Sequence, residues 1–383
     1  MNYKLLTLRG AATSIRGQLI HRDLHLGATI LADPPPDALK IDLEGCTLRP
    51  GRVNAHDHLE LNHYPRSKFR DRYPNAHLWG EDMSARLDHE PFRSLRAYPL
   101  EDRCFIGGLK NLLSGVTTVA HHNPPHRCLY QSDFPVRVLK RYGWAHSLHF
   151  TPESELIRSY QATPPDQPWF IHLAEGIDAV AASEYSRLKV LGCIGPNTVL
   201  IHGVGLTAHD IADAAPRIRG LVICPTTNAY LLGQFPPLAG WIAAGGKYAL
   251  GSDSRLTADG TLLDEEAALN QLFPQADAPL PPSSESHILG DPRLAHLEPG
   301  AYADVIVSEG ADLRLVIRAG VPQFGDPDLM AKFPKIQTVA ARLFGKPKSI
   351  QIDLARRIHR CALNEPGLEV DALPSRSFGW FRR

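Results

Sequence analysis

No stretch of this sequence carries the long apolar run that a membrane-spanning helix or a signal peptide requires. An excess of one charge is also lacking, because Lys+Arg and Asp+Glu both number 41 among 383 residues. No basic stripe with interleaved aromatic side chains is present, which argues against a nucleic-acid partner. We therefore expect a cytoplasmic protein that acts on a small molecule and binds neither nucleic acid nor membrane.

Closely spaced cysteines are missing as well. The six cysteines are scattered without a CxxC pair, which argues against a disulfide framework and favours reduced, mostly buried thiols. Histidine, by contrast, is abundant, with 18 copies, several of them where predicted strands end. This is the first indication of metal chemistry.

Two kinds of pattern alternate along the chain. Both end regions contain short alternating segments broken by glycine and proline, which is typical of a small β domain. The middle alternates short apolar strands with helical stretches, as in a parallel sheet covered by helices. At this length a closed barrel is the natural form.

We therefore predict an α/β fold, a (β/α)8-type barrel with a small β-sandwich domain built from both chain ends. The predicted limits are 1–48 plus 290–325 for the sandwich, 49–289 for the barrel, and 326–383 for an α-rich tail packed on the barrel.

The middle of the predicted barrel is short by one strand. Seven strands are apparent, in TLRPGRVNA, GVTTVA, GWAHSLHF, WFIHLA, TVLIHG, LVICP and KYALGS. Either one strand is irregular, around residues 150–155, or the barrel is distorted and open in its middle. The segment VRVLKRYG, which contains Lys140, reads as a helix.

Polar side chains follow several of these strands. His56 and His58 are two apart at the end of the first, so their imidazoles face one side. His172, His202 and Asp253 follow later strands, and in a barrel all these positions fall on the carboxyl-terminal face. Three histidines and one aspartate suit a divalent ion such as zinc and leave room for a water.

Ordered along the chain, PGRVNAHDHLE, GVTTV, HLAEG, IHGVGL, CPTTN, LGSDS and LEPGAYADVIV resemble the amidohydrolase superfamily. The resemblance is closest to its branch of cytosine and guanine deaminases and triazine hydrolases. It implies one divalent metal ion, Zn²⁺ with Fe²⁺ or Mn²⁺ as alternatives, held by His56, His58, His172 and Asp253. It also implies that Glu175 shuttles protons and that His202 lies beside the attacked group. A homodimer is compatible with it.

The expected activity is hydrolysis by a metal-activated water, because a bound ion lowers the pKa of water toward neutrality. Deamination of an amino-substituted heterocycle is the first hypothesis. Hydrolysis of a cyclic amide, a urea or another C–N or C–halogen bond is the alternative, and a non-catalytic scaffold is the remote one. Glu175, His202 and Asp253 are the expected catalytic residues.

Substrate contacts are harder to assign, because loops after barrel strands shape specificity but also carry ordinary solvated side chains. The candidates are His122, Tyr64, Arg66, Trp79 and Asn228. Each has a plain structural alternative, such as a hydrogen-bonded strand-end histidine or a turn-forming asparagine.

Overall fold

The computed structural model describes residues 5–15, 18–272 and 284–374. The chain divides into two compact units, one formed by Met1–Gly51 with Leu297–Arg383 and the other by Arg52–His296. Among the described residues, no helix combines the length and the apolar character that crossing a membrane would require.

The first unit is built from β-strands of both chain ends. The N-terminal strands are β1 (Leu6–Arg9), β2 (Ala12–Ile15), β3 (Gln18–His21), β4 (Leu24–Leu26), β5 (Ile30–Leu31), β6 (Leu39–Asp42) and β7 (Thr47–Pro50).

The second unit alternates strands and helices. Its strands are β8 (Arg52–Asp57), β9 (Val116–His121), β10 (Arg137–Val138), β11 (Gly143–Ser147), β12 (Trp169–Leu173), β13 (Thr198–His202), β14 (Gly220–Ile223) and β15 (Tyr248–Leu250). Its helices are α1 (Ala76–Ser84), α2 (Phe92–Arg96), α3 (Leu100–Leu113), α4 (Glu153–Ala162), α5 (Ala179–Val190), α6 (Ala208–Ala214), α7 (Pro225–Leu232), α8 (Leu238–Ala243), α9 (Leu262–Leu272) and α10 (Glu285–Ile288), with short 3-10 helices at Leu59–Leu61 and Arg127–Tyr130.

The C-terminal part of the first unit continues with β16 (Val305–Glu309), β17 (Asp312–Arg318), β18 (Val321–Gly325), β19 (Thr338–Leu343), β20 (Lys346–Gln351) and β21 (Leu368–Val370), and with helices α11 (Pro327–Met330) and α12 (Ile352–Arg360).

Two sheets of the first unit share one hydrophobic core. The four-stranded sheet has the order β5-β4-β1-β6, and the nine-stranded sheet has the order β21-β19-β20-β18-β17-β16-β7-β2-β3. Successive side chains of a strand point to opposite faces of its sheet. Leu6 and Leu8 of β1 and Val305 and Val307 of β16 are each two residues apart, and all four belong to this core. The chain ends therefore form β structure together, as the sequence patterns indicate.

The predicted α-rich tail is wrong over much of its length. Strands β19 and β20 form an antiparallel hairpin, and β20 pairs with β18 of the nine-stranded sheet. Val339 and Ala341 are buried on alternate positions, which is the period of a strand, and Phe344 and Gly345 turn the chain with positive φ. Sheet pairing thus overrides the helical propensity of this segment. Residues 375–383 of the predicted tail lie outside the described residues.

The described residues of the second unit form eight parallel strands, in a three-stranded sheet, β10-β9-β8, and a five-stranded sheet, β11-β12-β13-β14-β15. Every residue of β12, β13 and β14 is buried, as expected for parallel strands covered on both faces. The unit is thus an α/β fold of parallel strands, as predicted, and among its described residues no strand pairing joins the two sheets into one.

The strand that the sequence does not reveal is β10. It has only two residues and lies in the segment that the sequence suggests is helical, so that helical prediction is wrong. Four residues, 139–142, connect it to β11, far fewer than a helical crossover needs. Residues 150–155 form a turn and the start of α4 rather than a strand. The gap between the two sheets lies at this shortened connection.

On the opposite side, the carboxyl ends of β8 and β15 are joined. The Asp253 backbone N–H donates to the carbonyl of His56 at 3.0 Å, and the Ser252 N–H donates to Asn54 Oδ1 at 2.9 Å. The two strand ends that carry predicted site residues are therefore held side by side.

Candidate metal centre

Four predicted ligands meet at the carboxyl ends of three strands. The Nε2 atoms of His56 and His172 lie 3.3 Å apart. Asp253 Oδ1 lies 3.7 Å from His56 Nε2 and 3.6 Å from His58 Nε2. All four side chains are buried, so the strand ends place three imidazoles and one carboxylate around a common point.

The spacing of these atoms fits a metal ion. Ligand atoms at the ordinary zinc distance and tetrahedral angles are about 3.3 Å from one another. The His172 Nδ1–H donates to the carbonyl of His146 at 2.9 Å, which leaves the Nε2 lone pair of that ring facing the cluster. Burial lowers the pKa of His56 and of His172 well below the usual histidine value, so both rings are neutral, as metal ligands must be.

Asp253 is oriented by its own neighbours. The hydroxyls of Thr227 and Thr257 donate to Oδ2 at 3.1 and 3.0 Å, and the Ser254 N–H donates to Oδ1 at 2.9 Å. The backbone of Asp253 has a φ of 50°, a conformation that non-glycine residues rarely adopt. Such a conformation persists only where the surroundings enforce it, and here it turns the carboxylate toward the histidines.

Glu175 lies two residues beyond β12, directly after another residue with positive φ, Ala174. The Ala174 N–H donates to Glu184 Oε2 at 2.6 Å, and the carbonyl of Glu175 accepts from the Ala76 N–H at 2.8 Å. Burial, followed by the nearby carboxylates of Asp253 and Glu184, raises the pKa of Glu175 well above the usual glutamate value. A carboxyl group with a raised pKa is suited to both taking and giving a proton near neutral pH.

His202 ends β13 and faces Glu175, with 3.5 Å between His202 Nε2 and Glu175 Oε2. The Asn228 side-chain amide donates to His202 Nδ1 at 3.0 Å, so the proton of the neutral ring is on Nε2. Burial lowers the pKa of His202 to about 4. The ring is therefore a neutral hydrogen-bond donor pointing toward Glu175.

A buried polar network, absent from the sequence prediction, lies beside the ligands. We call it the Asp57 network; its members are Asp57, Lys110, Asn54, Asn62, Asn111 and Ser252. Lys110 Nζ lies 3.0 Å from Asp57 Oδ2, and both side chains are almost completely buried. The alternation in His56-Asp57-His58 was the available signal, since it points Asp57 away from the ligands.

A cavity of about 430 Å³ opens onto the cluster. Its lining includes the side chains of His58, His172, Glu175, His202 and Asp253. Helix α1 forms part of its wall, and the start of α1 is tied to the turn after Glu175, because Asn75 caps α1 and donates to Asp178 Oδ2 at 2.6 Å. The cavity thus joins the predicted ligands and the predicted catalytic pair to a space for a small molecule.

The five predicted substrate contacts lie in different places. Trp79 lines the cavity, whereas Asn228 is buried behind His202. Tyr64 is buried in an apolar cluster with Phe92. Arg66 donates to the carbonyl of Thr257 at 2.9 Å, pairs with Asp259 and lies over the ring of Tyr230. His122 stacks on His172 at 4.3 Å between ring centroids, and its Nε2 lies 3.0 Å from the carbonyl of Ala145.

Further polar side chains that line the cavity were not among the predicted site residues; they include His77, Asn123, His146 and Glu184. His77 Nε2 lies 3.0 Å from Glu184 Oε1, and Glu184 is buried although it stands in the middle of a helix. A carboxylate on an otherwise ordinary helix gives no pattern that marks it as a site residue. Two further side chains that could bind a metal ion, His122 and Cys224, lie close to His56 and were not among the four predicted ligands.

Comparisons with known proteins agree with the resemblance stated above. No family model matches the chain. An 8-oxoguanine deaminase of Pseudomonas aeruginosa is 26% identical over 182 residues, which cover 43% of this chain and 40% of the relative. The aligned segment thus spans less than half the length of that relative.

Solved structures show the same fold. An adenosine deaminase from Xanthomonas campestris with bound zinc is 16% identical, with a TM-score of 0.65 over 83% of this chain and 92% of its own. Atrazine chlorohydrolase from Arthrobacter aurescens, complexed with zinc, is 17% identical, with a TM-score of 0.65 over 83% of this chain and 94% of its own. These findings confirm the resemblance to the deaminase and triazine hydrolase branch of the amidohydrolase superfamily.

Proposed function

We propose that this protein is a metal-dependent hydrolase that removes the amino group of an amino-substituted heterocycle. The observation that carries the proposal is the convergence of His56, His172 and Asp253 on one point, with Glu175 and His202 paired beside it. The deaminases among the similar proteins support the same reaction class. One divalent ion, Zn²⁺ in the first place, would be held by these three side chains and His58.

The ion, Glu175 and His202 would each have a part in the reaction. An ion held by these residues would activate a water molecule for attack on the carbon that bears the amino group. Glu175 accepts a proton from that water and then donates it to the leaving nitrogen, which departs as ammonia. The His202 Nε2–H would donate to the oxygen that the water contributes to the tetrahedral carbon, and Asn228 keeps the proton on that nitrogen of His202.

Hydrolysis of another C–N bond or of a C–halogen bond is the second candidate. It is favoured by the likeness to a chlorohydrolase, and the same residues would serve, since attack by water at a ring carbon is common to both reactions. The two candidates differ only in the group that leaves.

Product analysis separates these candidates. We would load the purified protein with zinc and measure ammonia release from aminated purines, pyrimidines, pterins and triazines, and chloride release from chlorinated triazines. Ammonia release that is lost in Glu175→Gln supports deamination, and chloride release without ammonia supports the second candidate. A protein that binds zinc but hydrolyses none of these rings contradicts both, and one without affinity for zinc would act as a scaffold.

The finer architecture belongs to the same proposal. We propose that the eight parallel strands correspond to a (β/α)8 barrel that is open between β10 and β11, and that the first unit is a β-sandwich. A cytoplasmic location and a homodimer stay predictions from the sequence; light scattering of the purified protein tests the second.

A further inference from the structure

Part of the cavity wall along α1 is apolar. Trp79, Met83 and Leu87 from the α1 region line it together with Leu61 and Leu256, and these side chains belong to one hydrophobic cluster. The indole N–H of Trp79 donates to the carbonyl of Ser67 at 3.0 Å, so its polar atom is already used. Trp79 therefore offers the cavity an apolar ring surface.

Apart from histidines, the ionisable side chains that line the cavity are all acidic. Among the described residues, its lining contains the carboxylates of Glu175, Glu184 and Asp253 and neither lysine nor arginine. Two cationic side chains of the second unit form ion pairs with residues that do not line the cavity: Lys110 pairs with Asp57, and Arg66 pairs with Asp259. A metal ion would add positive charge only where its ligands meet, and not along the apolar wall.

An anionic substituent has no favourable place in such a cavity. It would lose its water without gaining a cationic partner, and it would lie near carboxylates. An alkyl substituent, in contrast, gains from leaving water for the surface of Trp79 and Met83. A cationic or neutral polar ring is compatible with the carboxylates at the other side.

We infer that the substrate is an uncharged or cationic amino-heterocycle that carries an apolar substituent, and that rings bearing a carboxylate or phosphate are rejected. This inference rests on the proposed function, because it assigns a substrate class to the same cavity. The apolar substituent lies along the α1 wall, and the amino group that leaves lies beside Glu175.

Matched ligands test the inference. We would prepare amino-purine, amino-pyrimidine and amino-triazine rings, each as a butylamino form and as a 3-carboxypropylamino form. Dissociation constants from equilibrium dialysis, and kcat/KM from ammonia release, would be measured with the zinc-loaded protein. For every ring that binds, we expect the butyl form to bind at least about 10-fold more tightly than the carboxylate form.

Variants at the α1 wall of the cavity test whether the lack of a cation and the apolar surface cause this preference. Ser84 is exposed at the end of α1 and lines the cavity, so Ser84→Lys adds a cation there without burying it. It should narrow the preference for the butyl form by strengthening binding of the carboxylate form, whereas Ser84→Met, of similar size, should not. Trp79→Ala should weaken binding of the butyl form more than that of the unsubstituted ring.

The outcomes distinguish a failure of the proposed function from a failure of the inferred substrate class. If no ring binds or releases ammonia, the proposed function is wrong, and the inference falls with it. If rings are deaminated but the carboxylate forms bind as tightly as the butyl forms, only the inference is wrong. An unchanged preference in Ser84→Lys would also contradict it.

Discussion

The ligand cluster and the Asp57 network are neighbours with equal burial and opposite character. In the network, every polar group is matched: Asp57 alone receives five donors, from Lys110 and from four uncharged side chains. In the cluster, the Nδ1 atoms of His56, His58 and His122 lack a hydrogen-bond partner. Among the described residues, buried atoms without partners occur in the cluster and not in the network.

This difference teaches that burial of polar groups does not by itself mark a functional site. A buried polar group without a partner costs free energy, so a fold keeps it only where something else offsets that cost. The Nε2 atoms of His56 and His172 face each other at 3.3 Å, and those of His56 and His58 face Asp253 Oδ1, an arrangement that suits a metal ion between them. The filled capacity of the Asp57 network suits a structural support that holds β8 and the end of β15 together.

The largest expected effect comes from removing a ligand. In His172→Ala, we expect zinc binding and ammonia release to fall to background, because only three of the four proposed ligands remain. Zinc content by mass spectrometry and ammonia assays check this. His209→Ala, at an exposed position of α6, is the matched control and should keep both properties. Full zinc content in His172→Ala would remove this residue from the ligand set.

The next effect separates catalysis from metal binding within the cluster. Glu175→Gln cannot transfer a proton, so we expect kcat to fall by about 10²- to 10⁴-fold. Zinc content should stay equal to that of the unmodified protein, because Glu175 is not a proposed ligand. Steady-state kinetics and metal analysis on the same preparation test the two expectations together. Loss of zinc from this variant would contradict the separation of roles.

Substitutions in the Asp57 network are expected to lower the stability of the protein. Removing one partner in Asp57→Asn or Lys110→Met leaves the other charge buried without compensation, which should lower the free energy of unfolding by about 3–5 kcal/mol. The double variant should recover much of that loss, because no uncompensated charge remains. Urea unfolding of the zinc-free proteins measures these values. Losses that simply add in the double variant would show that the two side chains are not energetically coupled.

The smallest expected effect concerns a third buried group, Glu265 of α9. Its carboxyl group accepts from the Thr226 N–H at 2.8 Å, and burial raises its pKa to about 8. A raised pKa in the folded state means that stability is highest at low pH and is lost as the pH rises. The free energy of unfolding should therefore fall as the pH rises between the pKa of an unfolded glutamate and about pH 8. Denaturation curves of Glu265→Gln should have a flatter pH profile in that range.

The sequence predicted the parts of the molecule that depend on local order. His56, His58, His172 and Asp253 stand at the ends of apolar strands, and parallel strands bring such ends together, so their convergence was foreseeable. Strand β10 was not foreseeable, because two residues carry no period. The hairpin of β19 and β20 was missed because its segment was read as helical, and the pairing of β20 with β18 is not visible in a local pattern.

Side-chain direction in loops was the other limit. Arg66 and Trp79 stand in the same insertion and looked equally suited to contact a substrate. The structure turns Arg66 to Asp259 and to backbone carbonyls, whereas Trp79 lines the cavity. The Asp57 network was also hidden, since it depends on which residues of α3 face β8. Contacts between segments that are distant in the sequence determine where the side chains of Arg66, Trp79 and the Asp57 network point.

The contact between Asn54 and Ser252 has a consequence for the time order of folding. These residues lie 198 positions apart, and their hydrogen bond holds His56 and His58 next to Asp253. Contacts of such long range form late, because a long loop must close first. A growing chain that has not yet reached the end of β15 lacks one of the four proposed ligands. Tight zinc capture would therefore begin only when the last parallel strand docks, and the rate of zinc uptake during refolding would time that step.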